Sequence, residues 1–261
     1  MVQPIVISVD GLIGAGKTAL CELLENKLAE NIVQYVKTSK DTLPMTALVE
    51  HAKINDVKVC MIKEPVKCWR ETGALTRFYA DVKNRAYEFQ SFVYCTRITA
   101  ILEAVKAFHK KYGRDADVYI LERSVFSDEY LFVEMLHRDG MFDDDQLKMY
   151  RKWSRMWDLL LPWFPSGFVY LSPSIDETMR RIEIRARSGE TVSLNYQSNL
   201  LQRHEEVFGN NTVHIAHRIG SDHGDSGDYP VHQIRTNDDF RLENGGHKEI
   251  VYGVTKFIMS I

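Results

Sequence analysis

The sequence predicts a three-layer α/β/α fold in which an open parallel sheet lies between two layers of helices. Three observations point there. Five short apolar runs recur along the chain: Ile5 to Val9, Val57 to Ile62, Asp117 to Leu121, Gly167 to Leu171 and Val231 to Ile234. Helical segments separate them, as crossovers between parallel strands require. Polar residues follow directly on the predicted strand ends, at Asp10-Gly11, Glu64, Glu122-Arg123, Ser172 and Thr236. In sheets of this kind ligands bind beyond the carboxyl ends of the strands, so these residues are expected to converge on one edge.

The chain of 261 residues is long enough for one large domain, and residues 1–261 are expected to form one. A net charge of −3 gives no polycation signature, so nucleic acid is not an expected partner. No apolar run approaches a membrane span, so no membrane partner is expected either. The first strand starts at Ile5, which leaves little room for a leader. The cytosol is the expected compartment, although a processed mitochondrial form would read the same. Cys21, Cys60, Cys68 and Cys95 lack metal-ligand spacing and fall in apolar segments. They are expected to be reduced thiols in or near the core.

The first strand runs into D-G-L-I-G-A-G-K-T, Asp10 to Thr18, and the amphipathic segment Ala19 to Leu28 follows. Gly11, Gly16, Lys17 and Thr18 satisfy G-x-x-x-x-G-K-[ST], Gly14 adds a third glycine, and Leu12, Ile13 and Ala15 complete the loop. A strand ending in a tight glycine turn aims backbone N–H groups, and the positive end of the next helix, at one point. That point binds anions. Lys17 would reach the β- and γ-phosphates and Thr18 would hold Mg²⁺. The loop therefore predicts a nucleoside triphosphate; it does not say what the nucleotide is used for.

Asn31 to Asp56 is polar and mixed, with one short helix expected around Met45 to Ala52. Pro65 stops the second strand and starts a turn, which leaves Glu64 at the strand's carboxyl end with Trp69 five residues on. Thr72 to Lys111 is expected to be helical in two pieces. Leu75, Phe78 and Tyr79 mark the first; Phe89, Phe92, Val93, Thr96, Ala100, Val105 and Phe108 mark the second. Another helix is expected from about Ser127 to Leu136. Asp143-Asp144-Asp145 reads as the solvated cap of a helix reaching Leu161, in preference to a metal site. Beyond the fourth strand an arginine-rich helix, Ile175 to Arg187, and a second helix, Leu194 to Phe208, flank a break at Ser188 to Ser193. Asn210 to Tyr229 is rich in Gly, Asp, His and Asn and is expected to be an irregular loop. A helix near Lys248 to Met259 closes the chain.

Taken in order, G-L-I-G-A-G-K-T, K-E-P-V-x-x-W (63–69), F-Q (89–90), E-R-S-V-F-S-D (122–128) and R-x-R followed by an acidic residue (185–190) resemble the cellular deoxynucleoside kinases. These comprise the deoxycytidine, deoxyguanosine and thymidine-kinase-2-like enzymes and their insect and viral relatives. The resemblance runs from about Ile5 to Phe240. It implies a P-loop kinase fold with a five-stranded parallel sheet and a helical lid at about 181–193. It implies ATP-dependent 5′-phosphorylation of deoxynucleosides, with Mg²⁺ held by Thr18 and Glu122. Glu64 would take the proton from the 5′-hydroxyl, and Arg123 would hold the 5′-oxygen and the transferring phosphoryl. Lys17 joins them as a catalytic residue. Arg181, Arg185 and Arg187 would close over the ATP phosphates, and Phe240 would pack on the donor's adenine. Tyr79 and Glu190 would grip the 3′-hydroxyl, Gln90 would read the base edge, and Trp69 and Phe89 would wall the base. Alone, the aromatics would read as core packing and the arginines as a basic helix face; the neighbouring motifs decide.

Base preference turns on Val93, Arg97 and Asp128. The Arg97/Asp128 pair matches one found in deoxycytidine and deoxyguanosine kinases and absent from the thymidine-accepting enzymes, whereas Val93 matches the broad-specificity insect enzyme; a structural ion pair is the alternative. The expectation is a preference for purine deoxynucleosides and deoxycytidine over thymidine. The sequence departs from the family at Ser193, where a proline is usual, in a slightly shorter Arg187 to Tyr196 segment, in a long Asn31 to Asp56, and at Arg218 to Tyr229, which looks like an insertion. Two other readings compete. One is a nucleotide-binding accessory subunit without kinase activity; the complete set Lys17, Thr18, Glu64, Glu122 and Arg123 disfavours it. The other is a nucleoside monophosphate kinase, disfavoured by E-R-S where D-R-x is expected. A GTPase is disfavoured by the lack of D-x-x-G and N-K-x-D. Apolar and aromatic residues on Tyr87 to Phe108 and Gln146 to Leu161 exceed what one core face needs. In the family the matching helices pack across a two-fold axis, so a homodimer is expected.

Overall fold

The computed structural model describes residues 4–40, 43–160, 164–215, 227–235, 237 and 246–261. Its central sheet has the order β2-β3-β1-β4-β6-β5. Strand β1 (Ile5–Gly11) lies between β3 (Val118–Glu122) and β4 (Gly167–Leu171) and is parallel to both. Strand β2 (Val59–Ile62) extends the sheet beyond β3, and β6 (Gly227–Ile234) extends it beyond β4, again in parallel. The register sets Val9 opposite Glu122 and Gly11 opposite Leu171, which brings the functional strand ends level. Strands β1, β3 and β4 are near-continuous apolar runs because helices cover both faces, and Ile7, Val9, Val118, Ile120, Phe168 and Tyr170 are essentially inaccessible.

The sheet has six strands where five were expected. The addition, β5 (Thr212–Ile215), is antiparallel to β6 and falls inside the stretch expected to be a loop. It is a short edge strand: Val213 is buried and His214 exposed, so it offers no continuous apolar run.

Helix α1 (Lys17–Thr38) runs well past the expected end at Leu28, because Leu20, Leu24, Leu28 and Ile32 form one buried stripe at intervals of a helical turn. Helix α2 (Ala47–Lys53) is close to expectation, with the Thr46 hydroxyl capping it. Helix α3 (Val66–Glu71) occupies residues expected to form only a turn. The expected break in the long helical stretch falls at Asp81, between α4 (Ala74–Ala80) and α5 (Val82–Tyr112), where the Asp81 carboxylate accepts from Asn84 N–H. After β3 come α6 (Val125–Ser127), a π-helical turn (Asp128–Val133) and α7 (Glu134–Arg138). Such π turns recur at functional sites.

Helix α8 (Asp144–Leu160) begins with a reciprocal box: Gln146 N–H donates to the Asp143 carboxylate at 2.7 Å and Asp143 N–H to the Gln146 side chain at 3.0 Å. The acidic run is a cap, and no group of three or more His, Cys, Asp or Glu among the described residues could hold a metal. Helices α9 (Ile175–Arg185) and α10 (Leu194–Phe208) are capped by the Ser174 and Ser193 hydroxyls, so Ser193 starts α10 as a side-chain acceptor. Helix α11 (Gly246–Ile258) packs along α1, with Tyr35 and Tyr252 in ring contact. The cysteine expectation is corrected in part. Cys21 and Cys60 are buried and Cys68 half-buried, but Cys95 lies on the outer face of α5, exposed. No helix among the described residues is long and apolar enough to cross a membrane.

Candidate active site

A cleft of about 800 Å³ opens over the carboxyl ends of β1, β2 and β3 and is bounded by α3, α4, α5 and α9. At its floor is the turn from β1 into α1. Gly14 has φ 84°, and a Cβ there would meet the Thr178 carbonyl at 2.5 Å; Gly11 has φ 147°, and a Cβ there would meet the Leu171 carbonyl at 2.5 Å. Only glycine fits both positions. The Lys17 ammonium donates to the carbonyls of Leu12 at 2.8 Å and Gly11 at 3.2 Å. Burial, and then the Arg123 guanidinium, pull its pKa down to about 7.

Beside this turn the strand ends supply alternating charges. Arg123 sits in the left-handed region at φ 62°, which turns its side chain back under the loop to donate to the Gly11 carbonyl. The same guanidinium lies 3.5 Å from Glu64 and 4.7 Å from the Phe132 ring centroid. Arg97 from α5 uses its whole fork: Nε and Nη2 donate to Asp128 at 2.8 and 3.0 Å, Nη2 to Glu64 at 2.9 Å, and Nη1 to the backbone carbonyls of Glu122 and Arg123 at 3.0 and 3.4 Å. Burial opposes ionisation of Glu64, but Arg97, Arg123 and Lys17 outweigh it and hold the carboxyl below the usual range. Burial raises Asp128 to about 6, against the pull of Arg97. Glu122 is also raised, by burial and by the nearby Glu64, and it accepts a hydrogen bond from the Thr18 hydroxyl. Two hard oxygen donors side by side at an anion-binding turn suit Mg²⁺, which takes one or two protein oxygens and fills its octahedron with phosphate and water.

The opposite half of the cleft is aromatic. Trp69 and Phe89 meet edge-to-face at 6.0 Å, and Phe78 stacks on Phe89 at 4.5 Å. The Trp69 indole donates to Thr96 at 2.8 Å, which fixes its ring. Gln90 is buried on the same wall with its side-chain oxygen unpaired, and Val93 lies a turn further along α5. Tyr79 and Tyr196 are in ring contact at 6.3 Å where the two halves meet. Over the top, α9 carries Arg181 and Arg185; the helix expected to reach Arg187 ends at Arg185, with Ala186 in the left-handed region, and Arg187 follows it. Arg181 donates to Glu177 at 2.7 Å, to the Ala15 carbonyl at 3.1 Å and to the Asn237 carbonyl at 2.7 Å. Arg185 and Arg187 both pair with Glu190, Arg187 at 3.4 Å.

The structure thus gathers Thr18, Lys17, Glu64, Trp69, Tyr79, Phe89, Gln90, Val93, Arg97, Glu122, Arg123, Asp128, Arg181, Arg185, Arg187 and Glu190 around one cleft. Phe240 and Thr236 lie outside the described residues, as does most of Arg218 to Tyr229. Sequence reasoning missed several participants. Arg180, Glu177 and Asn237 line the cleft beside the expected arginines. Asp10 was expected at this edge from its place at the first strand's end; its burial under the floor was not, nor were its partners, the Ser8 hydroxyl at 2.6 Å and Ser127. Gln197 and Tyr196, at the start of α10, carried no signal.

A profile of the deoxynucleoside kinase family matches residues 7–259. Among curated proteins, a probable deoxycytidine kinase of fowlpox virus is 29% identical over 242 residues, covering 92% of each chain. Deoxycytidine kinase 2 of Gallus gallus is 26% identical over 97% of this chain and 90% of its own. The mitochondrial deoxyguanosine kinase of Xenopus laevis is 24% identical over 98% and 90% respectively. These matches define a phosphotransferase acting on an alcohol group. The chain belongs to the deoxynucleoside kinase family.

Proposed function

We propose that this enzyme transfers the γ-phosphoryl group of ATP to the 5′-hydroxyl of a deoxynucleoside. The observation that carries the reading is the position of Glu64: a largely buried carboxylate, 15% exposed and ionised at neutral pH, between the phosphate-binding turn and the aromatic half of the cleft. The 5′-hydroxyl gives its proton to Glu64 as its oxygen bonds to the γ-phosphorus, and the bond to the β,γ-bridging oxygen breaks to release ADP. A carboxylate of lowered basicity suffices, because phosphoryl transfer runs through a loose transition state that asks little of the base. Arg123 and Lys17 face the charge on the transferring group. Phosphate oxygens would raise the Lys17 pKa back from about 7 and keep it charged. Thr18 and Glu122 would hold Mg²⁺, which when bound neutralises phosphate charge. Arg181, Arg185 and Arg187 would exchange their present carboxylate and carbonyl partners for phosphate oxygens.

Trp69 and Phe89 would wall the base, the Gln90 amide, with its oxygen unpaired, would meet its edge, and Tyr79 with Glu190 would take the 3′-hydroxyl. Arg97 has all its donors engaged, so it acts on the base by filling space beside Asp128 rather than by a free hydrogen bond. That supports a preference for purine deoxynucleosides and deoxycytidine over thymidine, whose methyl needs the room. The chain works as a homodimer through α5 and α8, a reading supported by exposed Leu102, Met149 and Met156 on those helices. The test is steady-state kinetics with Mg·ATP and deoxyadenosine, deoxyguanosine, deoxycytidine and thymidine. Conversion to 5′-monophosphates with thymidine last is expected. Thymidine ranking first overturns the base preference, and no turnover with any of the four overturns the reaction.

A further inference from the structure

For the N–H groups of the phosphate-binding turn to stay free for an anion, its carbonyls must be held by other donors. The carbonyls of Gly11 and Leu12 are held by Lys17 and Arg123 from within the site. The Ala15 carbonyl is held by Arg181 of α9. The Ile13 carbonyl is held by Gln197, whose side-chain nitrogen donates to it at 2.5 Å and to the Thr178 hydroxyl at 3.2 Å. Gln197 is fully buried in the first turn of α10, and its side-chain oxygen has no partner. The Thr178 hydroxyl itself donates to the Ile175 carbonyl at 2.7 Å, and the Thr178 carbonyl packs where a Gly14 side chain would be. One amide therefore ties three segments together: the phosphate-binding turn, the arginine-bearing helix α9, and α10 beyond the lid.

We infer that Gln197 is a positioning residue for the phosphoryl donor. It keeps the Ile13 carbonyl turned out of the anion site and fixes the origin of α9 relative to that site. An apolar side chain would fill the same space at less desolvation cost, since the unpaired oxygen of Gln197 gains nothing from burial. What the amide adds is the pair of contacts its nitrogen makes. Gln197 is not among the residues that line the cleft.

The inference rests on the donor site proposed above, and the test separates the two. Gln197→Met keeps the volume and removes the donor; Gln197→Glu places a carboxylate against the Ile13 carbonyl. Mg·ATP affinity is measured by titration calorimetry, KM and kcat are measured for both substrates, and melting temperature checks the fold. Both variants are expected to weaken Mg·ATP binding and raise its KM about tenfold, the scale of one lost buried hydrogen bond, with the deoxynucleoside KM within about twofold of wild type. Wild-type donor affinity in Gln197→Met overturns the inference alone. So do KM values for donor and acceptor that rise together with a falling melting temperature, which would mark a merely structural residue. A wild-type enzyme that fails to bind Mg·ATP overturns the donor-site reading and this inference with it.

Discussion

The floor of the cleft and its lid carry similar charges in opposite states. On the floor, Arg97 and Asp128 are 4% and 1% exposed, and every N–H of Arg97 has an acceptor. On the lid, Arg185 and Arg187 are 33% and 24% exposed and share Glu190, whose own side chain is 5% exposed. Pairs buried on both sides are costly to disturb and hold geometry; pairs whose guanidinium reaches solvent cost less to exchange. The floor is built to keep Glu64 ionised and in place before substrate arrives. The lid arginines are stored on carboxylates that phosphate can displace.

The contrast can be broken first at Arg97. Arg97→Met leaves Asp128 buried without its partner and Glu64 with Arg123 alone, and should cost about 3–5 kcal/mol of stability in urea unfolding. A loss under about 1 kcal/mol would mean that the floor is as loosely held as an exposed pair. Next comes the lid. Arg185→Gln should lower kcat/KM for Mg·ATP by about 10- to 100-fold, the scale of one lost transition-state donor, while stability in urea changes by less than about 1 kcal/mol. A large stability loss with intact kinetics would make this arginine structural.

The smallest effect sharpens the floor. Folding raises the Asp128 pKa from 3.8 to about 6, so the folded state favours the protonated carboxyl. Its contribution to stability is full below the unfolded pKa and is lost as pH rises through about 6. Stability of Asp128→Asn relative to wild type should therefore improve from pH 4 to about 6 and then level off. A difference independent of pH in that window would show that folding leaves the Asp128 pKa unshifted.

The parallel strands and the floor were legible in the sequence because both depend on local signals. Buried parallel strands read as apolar runs, and Glu64 and Arg123 follow strand ends fixed by Pro65 and by the end of D-V-Y-I-L. What escaped depends on partners far along the chain. Strand β5 exists through its pairing with β6, and its alternating T-V-H-I looks like a loop among Gly and Asp. Helix α1 continues through a polar stretch because α11 covers its far end. Asp10 takes its meaning from Ser127, and Gln197 from Ile13, both remote in sequence. Cys95 sits among apolar neighbours on α5 yet faces outward, a matter of helical phase rather than composition.

The most direct measurement is phosphoryl transfer by Glu64→Gln, with Mg·ATP and the preferred deoxynucleoside, alongside binding of each substrate. Gln keeps the shape and a hydrogen bond to Arg97 but cannot take the 5′-hydroxyl proton. A fall in kcat of about 10²- to 10⁴-fold with both dissociation constants near wild type is the predicted result. Turnover at the wild-type rate would contradict the account and remove Glu64 from the reaction.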